Sequence, residues 1–212
     1  MERKGIFLML TALLALLLIL QIGGLFENMN RAVDRALPSG GPAVSLLTAT
    51  ASGITILYLL LLFILDIRKE GRLSRFTLEL TVAFIISMVI VAILKVLTDL
   101  PRPGEERVSW GIFKRIGHLG YFSFPSGHTT RASVFAYFLA KRWKRLWPLW
   151  WGWAIAIALS RLLLHVHWFS DVLFALFLGP WTGLLVELTE NRWLPLYRAL
   201  VRKLGAEVLD VE

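Results

Sequence analysis

Six stretches of the chain are apolar over roughly the 20 residues that a helix needs to cross a bilayer: residues 5–25, 43–67, 76–97, 128–145, 146–164 and 171–188. In hydrocarbon every backbone N–H and C=O must be satisfied within the chain, so such segments become helices. The expected fold is all-α: an integral membrane bundle of six transmembrane helices. No polar linker divides residues 1–212, so one domain is expected. The composition agrees, with 57% hydrophobic residues and a mean hydropathy of +0.65, against roughly 45–50% apolar residues in a soluble domain. The fourth stretch is short and needs Lys141 to Lys144 as snorkelling ends. The first begins like a signal peptide, with Arg3 and Lys4 before a leucine run. The run is long for such a segment and no clean small-x-small site follows, so a retained helix is expected.

The charges collect in the connections. The net charge is +8, which in a soluble protein would suggest nucleic acid; here the distribution argues against it. Fourteen Lys and Arg fall on the side of the bilayer that holds both ends of the chain, and six on the other. The positive-inside rule then makes the termini cytoplasmic. No Cys is present, which removes disulfides and thiolate metal sites. Glu27, Arg31, Asp34 and Arg35 have near-helical spacing and suggest a short surface helix, closed by the breaker Pro38-Ser39-Gly40-Gly41-Pro42. The connection 98–126 carries Trp110, Phe113, Tyr121, Phe122 and Phe124, which read as interface anchors or as a lid. Residues 192–205 place Trp193, Leu196, Tyr197, Leu200 and Leu204 on one stripe with basic residues opposite, as in a cytoplasmic interfacial helix.

Three cations, Lys95, Arg131 and Arg161, lie inside apolar segments near their non-cytoplasmic ends. Ionisable groups at that depth are costly and point to function. Lys95 is followed by Pro101-Arg102-Pro103; the prolines stop the helix and turn Arg102 back over its end. Pro125-Ser126-Gly127-His128 opens the fourth helix. Ser126 is a good N-cap, Gly127 admits a ligand to the backbone, and free amides at a helix start favour an anion. Ser160-Arg161 and His167…Asp171 flank the last connection. With a helix starting near Trp168, His167 and Asp171 share a face. The carboxylate can then hold one imidazole nitrogen and leave the other to attack or to move a proton. Taken singly, each cluster has an ordinary reading: a snorkelling lysine, a capped helix, a surface histidine. All three fall at one membrane face, which chance does not readily give.

Together these residues resemble the type 2 phosphatidic acid phosphatase (PAP2) superfamily of membrane lipid phosphatases. That family's K-x6-RP, PSGH and SR-x5-H-x3-D patterns read here as Lys95…Arg102-Pro103, Pro125-Ser126-Gly127-His128 and Ser160-Arg161…His167…Asp171, without departure. The resemblance implies that His167 is the nucleophile of a phosphohistidine intermediate. It makes Asp171 the group that orients His167. His128 protonates the leaving oxygen and later deprotonates water. Lys95, Arg102, Arg161, Ser126 and the Gly127 backbone hold the phosphoryl oxygens. The family is metal-independent, and no carboxylate cluster suited to Mg²⁺ is visible, so neither metal nor cofactor is expected.

The leading expectation is therefore a hydrolase of a lipid phosphate or diphosphate, with an outward-facing site at the cell membrane. Polyprenyl (undecaprenyl) diphosphate, phosphatidic acid and phosphatidylglycerol phosphate are the candidate substrates; a short chain with a modest outer loop leans to the first. A lipid phosphotransferase using the same site is the alternative, and a small transporter of anionic substrates a more distant one. The soluble haloperoxidase relatives share the motifs but not the apolar segments. Oligomeric state is not encoded. His165 misses the family position and reads as a neighbour that tunes the site; His118 has no evident partner; Arg131 is expected at the headgroup or paired with Glu105 or Glu106.

Overall fold

The computed structural model describes residues 2–211. Among them are nine α-helices: α1 (Arg3–Ile22), α2 (Glu27–Ala36), α3 (Pro42–Glu70), α4 (Arg75–Thr98), α5 (Ile112–Gly117), α6 (Gly127–Arg142), α7 (Trp147–Leu163), α8 (Phe169–Leu188) and α9 (Glu190–Lys203). A single isolated bridge, Pro101 with Phe122, is the only extended pairing among these residues. The all-α expectation holds.

Five helices are long and apolar enough to cross a membrane: α1, α3, α4, α7 with the turn from Lys144, and α8. The chain is a multi-pass membrane protein. α6 is not among the five. It has 16 residues, and its composition differs for a physical reason. It is packed against α3, α4, α7 and α8, with Ala132, Val134, Phe135, Ala136 and Phe138 all buried. A helix wrapped by other helices meets little lipid, and its contacts can use small and hydrogen-bonding residues in place of a wholly apolar surface. The lipid-facing surface instead belongs to helices such as α3 and α4, where Leu57, Leu60, Ile64, Ile85, Val89 and Ile93 are exposed.

α8 lies beside α6 at the centre, and small residues set their separation. The Ser133 hydroxyl of α6 donates to the Ala175 carbonyl of α8 at 2.8 Å. Gly179 and Gly183 of α8 face Ser133 and Tyr137, where a side chain would collide with α6. At the far end of α8, Glu187 pairs with Lys141 and lies 3.6 Å from Arg3.

The surface helix expected around Glu27–Arg35 is present as α2. The 98–126 connection differs from expectation. Phe122 and Phe124 are buried in the protein, and the Trp110 ring packs at tilted angles against His118 and Tyr121 and edge-on to Phe122. Only Phe113, 88% exposed, is placed as an interface anchor would be. Packing against the bundle has absorbed the other rings. In α9 the stripe is split: Val201 is buried and Trp193 donates to the Val186 carbonyl at 2.9 Å, while Leu196, Leu200 and Leu204 remain exposed.

Candidate active site

Each chemical group stands at a helix end because the local sequence stops or starts a helix there. Asp99 closes α4 in the left-handed region (φ 51°), a conformation an aspartate tolerates. Lys95, one turn inside, is 7% exposed and donates to the Phe122 carbonyl. Ser126 caps α6, accepting from the Thr129 amide at 3.5 Å and the Thr129 hydroxyl at 3.0 Å. Its own amide donates to the Asp171 carbonyl at 3.3 Å, which ties the start of α6 to α8.

His167 precedes α8, and Asp171 is its third helical residue. Their side chains are essentially inaccessible, at 2% and 0% exposure. The Asp171 Oδ2 lies 3.2 Å from His167 Nδ1 and accepts from the Trp168 amide at 2.8 Å. A carboxylate on Nδ1 selects the tautomer with the proton there and leaves the Nε2 lone pair free. Burial, followed by the charges of Lys95, Arg161 and Arg102, holds the His167 pKa well below the usual histidine range. The ring is therefore neutral.

The cations converge. Lys95, Arg161 and Arg102, from α4, α7 and the 98–126 connection, all act electrostatically on His167. His128 lies within range of Arg161, Arg131, His167 and Arg102. Arg161 donates through Nη1 to Thr48 at 3.0 Å, while its Nε, like that of Arg102, is buried without a partner. Such orphaned donors are costly unless an acceptor is supplied. The site is thus a buried His–Asp pair beneath three cations, built to receive an anion with several oxygens.

Two residues escaped the sequence reading. Thr48 and Ser52 on α3 hold Arg161 and His128: Ser52 Oγ lies 3.2 Å from His128 Nε2. Arg131 also binds Ser52, at 2.9 Å, and the Gly127 carbonyl at 3.2 Å. This corrects the expected pairing with Glu105 or Glu106. Those acids belong to an exposed loop, whereas Arg131 turns back along its own helix. His118 packs at a tilted angle against Trp110, with Nδ1 2.9 Å from the Lys114 carbonyl. His165 meets Asp34 rather than the anion pocket. Among the described residues no group of three His, Cys, Asp or Glu is arranged to hold a metal.

A cleft of about 470 Å³ adjoins the site, lined in part by Gln21, Glu27, Asn30, Arg31, Glu105 and Trp168. It borders the His167–Asp171 pair through Trp168, whose indole donates to the Pro101 carbonyl at 2.9 Å.

Fold and site define a helical membrane protein with three cations gathered about a buried histidine–aspartate pair. The model of the PAP2 superfamily matches residues 76–193, more than half of the chain. The chain belongs to that superfamily. It is 32% identical over 97 residues to a lipid A 1-phosphatase of Rhizobium johnstonii, covering 41% of this chain and 39% of that one. A lipid A 1-phosphatase of Rhizobium etli is 33% identical over 76 residues, 36% of this chain and 33% of that one. The matches thus span under half the length of these curated relatives. Two crystal structures share the fold. A transmembrane PAP2 type phosphatidylglycerolphosphate phosphatase from Bacillus subtilis superposes with a TM-score of 0.61 at 21% identity, over 90% of this chain and 96% of that one. Aquifex aeolicus LpxE gives 0.56 at 22% identity, over 76% and 93%.

Proposed function

We propose that this chain is a membrane lipid phosphatase that hydrolyses a lipid phosphate or diphosphate through a phosphohistidine at His167, without a metal. The observation that carries the reading is the buried His167–Asp171 pair under Lys95, Arg102 and Arg161, two of whose guanidinium Nε groups have no protein partner. Nε2 of His167 attacks phosphorus and the bond to the leaving oxygen breaks. His128 gives that oxygen a proton. His128 then takes a proton from water, which attacks phosphorus, breaks the P–N bond and frees His167 and phosphate. The three cations neutralise the equatorial oxygens throughout, the main requirement of phosphoryl transfer. The amides that open α6, after Ser126 and at Gly127, add a further anion-favouring field.

The reading includes six crossings, with α6 as the sixth. It is supported by the side-chain bonds that join the α3 start to the α7 end and the α6 start, Thr48 to Arg161 and Ser52 to His128. Alternation of the helices through the bilayer would bring these ends to one face. With both termini cytoplasmic, that face is outward. Relatives described as lipid A 1-phosphatases and as a phosphatidylglycerolphosphate phosphatase support phosphorylated lipids as the substrate class. Polyprenyl diphosphate and phosphatidic acid complete the panel to be tried.

The test is phosphate release in one detergent, with EDTA, from phosphatidic acid, phosphatidylglycerol phosphate and polyprenyl diphosphate. Turnover of at least one is expected, with His167→Ala slower on the order of 10³-fold or more. Full activity in His167→Ala, or activity lost to EDTA and restored by Mg²⁺, would refute the mechanism.

A further inference from the structure

The loop that carries His167 is gripped from outside the spanning bundle. His165, two residues before it, has a left-handed backbone (φ 51°), unusual for a residue with a side chain. Its Nδ1 lies 2.7 Å from Asp34 Oδ1 on α2. One turn earlier on the same face of α2 is Asn30. Asn30 Nδ2 donates to the Ser170 hydroxyl at 2.9 Å, and its Oδ1 accepts from the Ser170 amide at 3.0 Å. That amide is one of the unpaired donors at the start of α8, so Asn30 caps the helix that carries Asp171. Asn30 and Ser170 are 6% and 2% exposed. Between these two attachments, Val33 packs with Leu37 against Ala158, Leu162 and Val172. After α2, the Gly40 amide donates to the Leu163 carbonyl at 2.7 Å.

We propose that α2 is a clamp on the nucleophile loop, with Asp34, His165 and Asn30 as positioning residues that hold His167 in line for attack. The functional half of this proposal rests on the phosphatase reading. The clamp acts on both sides of His167, at His165 and at Ser170, and bears on it through the loop backbone. Loss of either attachment frees the approach angle of Nε2 while the cations that bind the phosphoryl group, on α4, α7 and the 98–126 connection, stay in place. The consequence is a fall in kcat with little change in KM.

The experiment uses the full chain in detergent, with the lipid of the panel above that the wild type turns over fastest as substrate, and compares four variants. Asp34→Ala and His165→Gly are each expected to lower kcat about ten- to a hundredfold, with KM within about twofold. The double variant is expected to be no slower than either single one, because both remove the same contact. His165→Asn separates contact from backbone: asparagine accepts the left-handed conformation and its amide can donate to Asp34. It should recover most of the rate, whereas glycine, which also fits the backbone, should not. Amide hydrogen exchange provides a readout without turnover: residues 163–170 should exchange about tenfold faster or more in Asp34→Ala and stay as in wild type in His165→Asn. Unchanged exchange in Asp34→Ala, or equal rates for His165→Gly and His165→Asn, overturns the clamp. Failure of the phosphatase reading shows separately, as wild-type protein that releases no phosphate from any lipid of the panel.

Discussion

Asp171 Oδ2 serves two donors at once, the His167 ring and the Trp168 amide. Replacing it by asparagine keeps the volume and, with the amide oxygen toward the two donors, both hydrogen bonds, but removes the negative charge that would stabilise the positive charge the ring gains in the proposed attack. Asp171→Asn is expected to cut kcat on the order of 10³- to 10⁴-fold with little change in thermal midpoint. A second consequence is thermodynamic. The buried His167 ring titrates well below the ordinary histidine value of 6.5. Between those two values the unfolded chain binds a proton that the folded chain refuses. The stability that this difference contributes is complete above about pH 6.5 and drains as pH falls, by roughly 1.4 kcal/mol per pH unit for one such group. His167→Gln lacks this slope. Thermal midpoints of both proteins at pH 7.5, 6.5 and 5.5 should therefore fall more steeply for the wild type; parallel curves would mean that His167 is not held neutral. The residues proposed for this chemistry were legible because each breaks an apolar pattern: Lys95, His128, Arg161 and Asp171 are costly where they stand. Thr48 and Ser52 were not. A hydroxyl inside a membrane helix commonly bonds its own preceding carbonyl, as Thr55 does to Ala51 at 2.8 Å. Only with α6 and α7 in place does the face shared by Thr48 and Ser52 acquire partners.

Among the helices, the contact that matters most to the site is α6 against α8, since it sets His128 relative to His167. The pair Gly179 and Gly183 makes the close approach possible. A Cβ at Gly179 would stand 2.5 Å from the main-chain carbon of Ser133 and the nitrogen of Val134. Backbone cannot step aside as a flexible side chain can, so Gly179→Ala must separate the helices, at a cost of about 1–3 kcal/mol or more. It should lower the thermal midpoint and the activity together. Gly53→Ala is the control: on α3 that position meets nothing within 4 Å and faces outward, and alanine favours the helix by about 1 kcal/mol. Equal midpoints for the two variants would mean that α6 and α8 are not in close contact. The long apolar helices were readable from length and hydropathy alone, to within a few residues at most ends. α6 was harder, because a helix sheathed by others carries Thr129, Thr130, Arg131 and Ser133 within its length, and so loses the signal that lipid exposure imposes. α5 and the burial of Phe122 and Phe124 depend on how the 98–126 connection folds back, which periodicity does not specify. The partner of His165 lies 131 residues away in sequence, beyond any local pattern.

For the molecule as a whole, the arrangement of charge and the arrangement of the site make one joint demand. With the six crossings proposed above, fourteen Lys and Arg would fall in the connections on the side of the termini and six on the other, a bias large enough to fix orientation during insertion. The groups of the site stand at the end of α4, the start of α6, the end of α7 and the start of α8, all at the face away from the termini if α6 crosses. Were α6 to turn back within the bilayer, α7 and α8 would be inverted, and Arg161 and Asp171 would part from Lys95. The same six-crossing topology therefore underlies both the positive-inside argument and the chemistry. The chain has no cysteine, so single cysteines report position without a background. Glu106→Cys, on the exposed 98–126 connection, should react with a membrane-impermeant maleimide in intact cells. Glu70→Cys, at the exposed end of α3, should react only after permeabilisation. Lys144→Cys, between α6 and α7, decides the count: with α6 crossing it behaves as Glu70→Cys does, and labelling from outside would leave five crossings and a pocket whose parts lie on opposite faces.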